Sequence, residues 1–436
     1  MSININEKLG HDKIKFVDLW FTDMFGTLKN ITVTHNHFKS SVDKGIWFDG
    51  SSIEGFARIQ ESDMILKPDI STYSILPWTQ QGKKTARFIC DVLNPNGTPF
   101  EGDPRYILKR QIEKAKTMGL KYDTGPEIEF FLFGRDEYGR VIPVPHDIGG
   151  YFDASGKDLA SEVRNDISLC LETMGISMEA VHHEVAPGQH EIDFKYDWAL
   201  ESADKVITAK QTIKTIAQMH GLYATFMPKP VNGENGSGMH VHQSLKDLDG
   251  NPIFYNSECK YKLSTIAKQF IEGQLVYAKE MIAILAPTVN SYKRLINGYE
   301  APVNICWGQT NRSVLIRIPR YSPGRENSTR CELRCPDPST NPYLAFAVML
   351  GTGLEGIKQK LKIREATEDN SYVSNGFKNL PDCLKEAIDA MSNSQVIHDI
   401  LGEHTFKLYI KAKNTEWMSY KTTVTDWELN KYLESI

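Results

Sequence analysis

Four strand-like segments of the 436-residue sequence carry acidic or imidazole side chains at alternate positions. In GPEIEFFLF, Glu127 and Glu129 are two residues apart, so both point to one face of a strand while the apolar residues point to the other. Two carboxylates on one face repel each other unless a cation lies between them. For this segment alone, a solvated outer face is the alternative, because half-exposed strands commonly carry acids.

The other three segments repeat the pattern. In HHEVAPGQHEIDF, Glu184 precedes a Pro-Gly turn and Glu191 follows it, so a hairpin would bring the two carboxylates together. In GMHVHQSL, His240 and His242 share one face, and in RCELR two arginines share a face with Glu332. Five glutamates with one or two imidazoles and no thiolate form an oxygen-rich set. Such a set favours Mg²⁺ or Mn²⁺ over zinc or copper.

Arginines are placed where an anionic substrate and a nucleotide would need them. Guanidinium groups bind carboxylate and phosphoryl oxygens in a bidentate way and stabilise phosphoryl transfer by factors of about 10³ to 10⁵. A scattered surface position is the alternative for any one of them. The sequence has neither a Walker loop nor a G-x-G-x-x-G motif after a strand, so a nucleotide would need another scaffold. The candidates are Arg294, Arg312, Arg317, Arg330 and Arg334.

Composition excludes several classes of partner. Fifty basic and 55 acidic residues give a net charge of −5, which offers no electrostatic footprint for nucleic acid or an anionic membrane. The seven cysteines contain no C-x-x-C pair and fit reduced thiols. No apolar run approaches the roughly 20 residues that a membrane-spanning helix needs, and the first 30 residues lack an apolar signal core. We therefore expect a cytoplasmic protein with small-molecule or protein partners.

The positions of proline and glycine along the chain predict two parts. Residues 1–100 read as a small β-rich module, and the Pro- and Gly-rich stretch NPNGTPFEGDP marks a boundary near residue 100. After it, helices alternate with strands, which predicts an α+β fold whose short loops favour an antiparallel sheet. A capping box, Thr425-x-x-Glu428, predicts a C-terminal helix for packing or oligomerisation. The predicted helices are 103–119, about 157–174, 197–220, 264–286 and 340–361.

Read together, these segments resemble glutamine synthetases of the bacterial and archaeal class I type, over essentially the whole chain. The resemblance implies an N-terminal β-grasp domain (1–100) and a catalytic domain (101–436) with a curved antiparallel sheet flanked by helices. The matching segments are WFDGSSIEGF, GPEIEFFLF, HHEVAPGQHEIDFKY, TFMPKP, NGSGMHVH, PTVNSYKRLINGYEAPV, NRSVLIRIP and RCELRCPDPSTNPYLA.

The resemblance implies ATP-dependent ligation of L-glutamate and ammonium to L-glutamine through a γ-glutamyl phosphate, as in nitrogen assimilation. It implies two divalent ions, one held by Glu129, Glu184 and Glu191 and one by Glu127, His240 and Glu332. The implied glutamate site contains Asn235, Gly236, Arg294, Glu300, Arg312 and Arg334. The implied ATP site contains Glu179, His242, Ser244, Arg312 and Arg317, and the catalytic groups are Asp49, Glu300 and Arg312.

The resemblance also implies an assembly and a mode of control. Twelve subunits in two hexameric rings are expected, with Asp49 of each subunit completing a neighbour's site. The segment before Leu380-Pro381 lacks the modifiable tyrosine of the adenylylated subtype, so the chain resembles the shorter feedback-inhibited subtype, in which Arg58 would help to sense glutamine. A regulatory protein is a possible further partner. The stretch 320–328 looks longer than in that subtype, which leaves its nucleotide contacts open.

Two alternatives accompany this interpretation. The first is a γ-glutamyl ligase that uses a polyamine or another amine in place of ammonium. Retention of Asp49 and Glu300 favours ammonium, because a bulky amine would need the acidic ammonium pocket that these two residues form to be widened or replaced. The second is a regulatory protein without activity, which predicts missing ligands, whereas all six metal positions are present.

Overall fold

The computed structural model describes residues 5–51, 53, 55, 63–80, 82–154, 156–309, 311–321, 324–369, 371–372 and 376–436. Its first part is rich in strands, as predicted. The elements are α1 (Ile5–His11), β1 (Phe16–Thr22), β2 (Leu28–Thr34), α2 (His35–Ser41), β3 (Ile46–Asp49), β4 (Asp63–Pro68), β5 (Ser74–Ile75) and β6 (Thr85–Leu93).

The N-terminal sheet has the strand order β2-β1-β6-β4-β3, with β5 paired to β6. β1 and β2 form a hairpin, since they pair antiparallel around a turn in which Gly26 has a φ of +81°. A side chain at that glycine would collide with Asn341, so the turn packs directly on the second part of the chain. Phe38 and Phe88 stack at a centroid distance of 4.9 Å in the core of this sheet.

The second part alternates helices and strands. Its first half contains α3 (Pro104–Thr117), β7 (Leu120–Arg135), β8 (Val141–Pro145), α4 (Ser161–Thr173), β9 (Met178–His183), β10 (Gln189–Phe194), β11 (Asp197–Trp198), α5 (Ala199–Met219), β12 (Tyr223–Thr225) and β13 (Val241–Asp247). Its second half contains α6 (Thr265–Val276), α7 (Ala278–Leu285), α8 (Ser291–Arg294), β14 (Asn304–Gly308), β15 (Val314–Arg317), β16 (Cys331–Leu333), α9 (Pro342–Lys358), α10 (Leu384–Ser392), α11 (Gln395–Leu401), α12 (Glu403–Thr422) and α13 (Asp426–Tyr432).

Two details differ from the sequence predictions. The large sheet runs β14-β15-β16-β13-β7-β10-β9 and is mixed rather than wholly antiparallel, since β14 and β15 are parallel. An alternating pattern shows which face a side chain takes but not the direction of its strand. The helix predicted at 264–286 is two helices, because the backbone leaves the helical region at Tyr277 (φ −94°, ψ 14°). The capping box at Thr425 is present as predicted.

The long strand β7 separates the core from the polar face of the sheet. Ile128, Phe130 and Leu132 are fully buried in a core cluster that also contains side chains of α3, α5, α6 and α9. Glu127 and Glu129 alternate with them and point to the opposite face. The helices therefore cover one face of the sheet and leave the other for a site. No described helix has the length and apolar character that a membrane span requires.

A buried ion cluster ties the two parts together. Arg105, at the start of α3, is only 2% exposed. Its guanidinium lies 2.8 Å from Asp69 and 2.7 Å from Asp91 of the N-terminal part, and 2.8 Å from Asp204 on α5. The Tyr343 hydroxyl donates to Asp204 over 2.6 Å. Arg105 thus lies among three carboxylates that would otherwise repel each other, and Lys109 supplies a second cation 2.6 Å from Asp91.

Replacing Arg105 with methionine should lower the free energy of unfolding by about 3–5 kcal/mol, because it leaves the buried Asp204 carboxylate without its cation. The matched control is Arg140→Met, which removes an exposed arginine that pairs with Asp136 and lies over the exposed Tyr138 ring, and which should change stability little. Urea unfolding followed by circular dichroism measures both. Equal, small losses in the two variants would show that the cluster does not hold the junction.

Candidate active site

A cavity of about 450 Å³ lies on the polar face of the large sheet. Strands β7, β10, β15 and β16 contribute side chains to it, as do the glycine-rich segment before β13 and the loops around residues 300 and 312. The structure therefore brings most of the sequence-predicted site residues to one place. Those that line this cavity are Glu127, Glu129, Glu184, Glu191, Asn235, Gly236, His240, Arg294, Glu300, Arg312, Arg317, Glu332 and Arg334.

The predicted set Glu127, His240 and Glu332 comes together directly. One ligand atom from each lies within 4.8 Å of the other two. The backbone sets this geometry, because the Glu127 N–H donates to the His240 carbonyl over 2.9 Å next to the β7–β13 ladder. Burial lowers the pKa of His240, so its imidazole favours the neutral form that binds metals.

The predicted set Glu129, Glu184 and Glu191 forms two overlapping groups that share Glu191. Glu129 and Glu191 lie directly opposite each other in the β7–β10 register, and His240 completes their group. Glu184 and Glu191 meet across the predicted turn with His182. The turn is closed by a hydrogen bond of 2.7 Å from the Glu184 N–H to the carbonyl of Gln189.

The carboxylates in this cavity are electrostatically crowded. Burial and the neighbouring Glu184 raise the pKa of Glu129 to about 8. Burial and Glu127 raise the pKa of Asp193 to about 7, and burial and Glu129 raise the pKa of Glu191 still further. A divalent cation would stabilise the ionised forms of all of them. Oxygen donors with a neutral imidazole fit Mg²⁺ or Mn²⁺ by their chemistry.

The arginines take different positions around this cluster. Arg317 and Arg334 flank Glu332 at 3.0 and 3.1 Å, so part of its charge is already balanced. Arg294 is buried and donates to the carbonyls of Cys335 (3.0 Å) and Arg334 (3.1 Å), which fixes its guanidinium at the cavity wall. Arg330 instead donates to Nδ1 of His242 over 3.2 Å and faces a second cavity.

The second cavity, of about 370 Å³, adjoins the first through Glu127 and Asp193, which line both. The side chains of Glu179, His242 and Ser244, predicted at the nucleotide, line it. The stretch 320–328, whose contacts the sequence left open, contributes Arg320 and Tyr321 among others to the same wall. The residues predicted to bind ATP are therefore divided, with Arg312 and Arg317 in the first cavity.

Comparisons with known proteins were made for sequence and structure. Residues 13–95 match the family model described as glutamine synthetase, beta-Grasp domain, and residues 101–432 match glutamine synthetase, catalytic domain. The chain belongs to the glutamine synthetase family. The predicted α+β fold with an N-terminal β-grasp domain is thereby confirmed, as is the predicted enzyme class.

Individual relatives agree with this assignment. The glutamine synthetase of Thermotoga maritima is 49% identical over 436 residues (98% of each chain), and that of Methanocaldococcus jannaschii is 48% identical over 452 residues (99% of each). Among solved structures, one titled "GmaS/ADP complex" aligns with a TM-score of 0.91 at 30% identity. The Plasmodium falciparum glutamine synthetase aligns with a TM-score of 0.88 at 26% identity, and both alignments cover 99% of each chain.

One residue that the glutamine synthetase resemblance singled out lies elsewhere. Asp49, at the end of β3, lines neither of the two cavities in its own chain. Its carboxylate accepts a hydrogen bond of 2.8 Å from the Ser51 N–H, and contacts with Ser51 lower its pKa. Arg58 lies outside the described residues. Glu300 does line the first cavity, and its φ of +58° is uncommon for a residue other than glycine.

Sequence reasoning missed several members of the site. His182 lies 3.3 Å from Glu191, and Asp193 lies within 4.8 Å of Glu127 and Glu191. Both follow the same alternation, because His182 is two residues before Glu184 and Asp193 is two residues after Glu191. Extending the period-two rule by one step in each direction would have found them.

A further contribution to the site comes from the loop after β8. Asp147 is buried, and its Oδ1 accepts a hydrogen bond of 2.9 Å from the Gly188 N–H. The same oxygen lies 2.9 Å from Nε2 of His183. Asp147 therefore clamps both the turn and the β9 strand of the hairpin that carries Glu184 and Glu191. Nothing in the local sequence pattern signals a contact that spans some forty residues.

Replacing Glu191 with glutamine should weaken Mn²⁺ binding strongly, because Glu191 belongs to both groups of ligands. Loss of a residue that only supports a metal ligand typically costs roughly 10- to 100-fold in metal affinity, and we expect at least that loss here. Isothermal titration calorimetry of the metal-free protein with MnCl₂ measures this change.

The matched control is Glu137→Gln, which removes the same charge at an exposed position outside both cavities. Wild-type Mn²⁺ affinity in the Glu191 variant, or an equal loss in both variants, would contradict the assignment of this cluster as a metal site.

Proposed function

We propose that the chain joins L-glutamate and ammonium into L-glutamine with ATP, through a γ-glutamyl phosphate. The observation that carries the proposal is the crowded carboxylate and imidazole cluster between two adjoining cavities in a member of this family. A nucleotide in one cavity and an amino acid in the other would meet at that cluster. The proposed divalent ions are Mg²⁺ or Mn²⁺.

The metal ligands are proposed in two sets. Glu129, Glu184 and Glu191 would hold one cation, and Glu127, His240 and Glu332 the other. Bound there, the cations would neutralise the negative charge of the ATP phosphates and of the attacking carboxylate. The buried Oδ1 of Asp193, which has no hydrogen-bond donor among the described residues, supports a cation requirement on this side of the cluster.

ATP is proposed to lie in the second cavity, with Glu179, His242 and Ser244 around it. Its phosphates would extend past the shared wall formed by Glu127 toward the first cavity. Arg312 and Arg317, on the side of the first cavity, would then meet the γ-phosphoryl group. The shared lining residues Glu127 and Asp193 and the arginines of the first cavity support this direction.

Glutamate is proposed to lie in the first cavity against Asn235, Gly236 and Arg294. The main chain at Gly236 passes so close to Pro228 that an added Cβ would lie 2.4 Å from its carbonyl oxygen. The substrate γ-carboxylate would attack the γ-phosphorus while Arg312 and Arg334 balance the charge on the transferred group. Nη1 of Arg334 is buried without an acceptor among the described residues, which fits a substrate oxygen as its partner.

Ammonium is proposed to bind between Glu300 and a neighbouring subunit's Asp49. Ammonium has no lone pair, so a carboxylate must take a proton before nitrogen attacks the acyl phosphate. The exposed position of Asp49, outside its own chain's cavities, is consistent with a role at another subunit's site. We propose the family's double hexameric ring as the assembly that would bring them together.

The proposal extends to regulation and location. The chain is proposed to belong to the short, feedback-inhibited subtype without adenylylation, to work in the cytoplasm and to use Arg58 in glutamine sensing, with a regulatory protein as a possible partner. The amine-ligase alternative receives no specific support, because relatives at about half identity over nearly the full length carry the name glutamine synthetase.

The deciding assay follows phosphate release from ATP with glutamate and Mg²⁺, in the presence of ammonium, methylamine or putrescine. We expect ammonium to support at least tenfold higher kcat/KM than either amine, with one glutamine formed per phosphate. Preference for putrescine or methylamine would favour the alternative ligase. Absence of activity with every amine would reject an enzymatic role.

Replacing Glu300 with alanine should raise the ratio of phosphate released to glutamine formed above one, because the acyl phosphate would lose its ammonium-binding carboxylate and become accessible to water. Parallel assays of phosphate and glutamine on the same samples measure this ratio. The exposed Glu137→Ala variant is the control and should keep a ratio of one. An unchanged ratio in the Glu300 variant would show that Glu300 does not couple phosphoryl transfer to amide formation.

A further inference from the structure

A third cavity, of about 440 Å³, lies away from the two described above. It is bounded by the β1–β2 turn (Phe25–Leu28), by one side of α5, and by the segment 226–228 that follows β12. Two domains therefore meet at its walls. None of its described lining residues is among those proposed to bind metal, glutamate or ATP.

The cavity is basic. Lys210 and Lys214 are one helical turn apart on α5 and both line it, whereas no carboxylate belongs to its described lining. Their ammonium groups lie over the same ring, 5.4 and 5.7 Å from the centroid of Phe226. Like charges at this spacing destabilise a helix, so packing alone does not account for the pair.

The lysines carry an electrostatic cost that an anion would remove. Burial and the neighbouring Lys214 lower the pKa of Lys210 to about 7, against the opposing effect of the negative charge of Asp337. Burial alone lowers the pKa of Lys214. Lys210 donates one hydrogen bond of 2.6 Å to the Pro338 carbonyl, which leaves its other N–H groups for a ligand. Neutral polar groups, including Gln211, complete the wall.

We propose that this cavity binds a small dianion, a dicarboxylate or a phosphate monoester, between Lys210 and Lys214. Two ammonium groups on adjacent turns match two negative charges better than one. The volume of about 440 Å³ admits a molecule of that size. Phe25 and Phe226 would cover its apolar part.

The site is connected to the proposed glutamate site through one short segment. Pro228 lines the cavity, and its carbonyl accepts a hydrogen bond of 2.8 Å from the Ser237 N–H, next to Gly236. Asn290 also lines the cavity. Its side-chain oxygen accepts a hydrogen bond of 2.7 Å from the Lys229 N–H, and its side-chain NH₂ donates one of 3.0 Å to the Lys229 carbonyl. A ligand that fixes this segment would pre-organise the glutamate-binding loop. We therefore expect it to lower KM for glutamate more than it changes kcat.

Calorimetric titration of the assembled enzyme tests the site. The active site is first filled with Mg²⁺, a non-hydrolysable ATP analogue and L-glutamate, so that the γ-phosphoryl position is occupied, and succinate, inorganic phosphate or acetate is then added. We expect succinate or phosphate to bind once per chain, and the double variant Lys210→Gln/Lys214→Gln to weaken that binding at least tenfold. The control Lys205→Gln removes a lysine of the same helix that pairs with Asp197 outside the cavity, and should bind normally.

The outcomes separate the possible ligands. Binding of succinate alone identifies a dicarboxylate site, and binding of phosphate alone identifies a phosphate site. Equal binding by acetate, no binding to the wild-type assembly, or binding that survives in the double variant would each overturn the proposal. Unchanged KM for glutamate at saturating ligand would overturn the connection to the active site. Binding does not depend on turnover, so failure of glutamine synthesis would leave this test intact.

Discussion

Repulsion among buried carboxylates dominates the centre of this molecule. Glu129 and Glu191 face each other across neighbouring strands, and Glu184 and Asp193 lie beside them. Burial removes the water that would screen these charges, so protonation is favoured at Glu129, Glu191 and Asp193 when no cation is bound. The sheet holds the groups together at this cost because its other face is packed tightly against helices. Divalent cations bound among these carboxylates would offset the repulsion, which supports the interpretation of the cluster as a metal site.

The scaffold around the cluster is built to resist that repulsion. The β9–β10 hairpin is held at its turn by Asp147, and β7 is anchored by the fully buried Ile128, Phe130 and Leu132. Arg317 and Arg334 balance Glu332 from the opposite side of the cavity. The cluster around Arg105 applies the same principle at the domain junction, where a permanent cation from the protein stabilises three carboxylates. At the proposed metal site the corresponding cation would come from solution.

Much of the site was predictable because strand alternation directly determines which way side chains point. The positions of Glu127 and Glu129 relative to Ile128 follow from that rule alone, and the Pro-Gly turn places Glu184 beside Glu191. The same rule, applied further, includes His182 and Asp193. The roles of Arg294, Asn235 and Gly236 came only from the family resemblance, and they remain predictions.

Other features depend on contacts between residues that are far apart in sequence, and a local sequence pattern does not reveal such contacts. Asp147 reaches the hairpin from a separate loop, and the parallel β14–β15 pair has the same alternation as an antiparallel one. The break at Tyr277 interrupts an apolar run that reads as one helix. The proposed role of Asp49 depends on a second subunit, which no pattern within one chain reveals. The cavity around Lys210 and Lys214 also draws its lining from separate parts of the chain, between Phe25 and Ser339.

Anomalous X-ray diffraction at the manganese edge, from crystals grown with Mn²⁺ and a non-hydrolysable ATP analogue, would locate the cations directly. The account predicts two peaks per chain within coordination distance of the carboxylates, one beside Glu127, His240 and Glu332 and one beside Glu129, Glu184 and Glu191. Peaks at other acidic positions, with neither set of side chains converging on an ion, would contradict it.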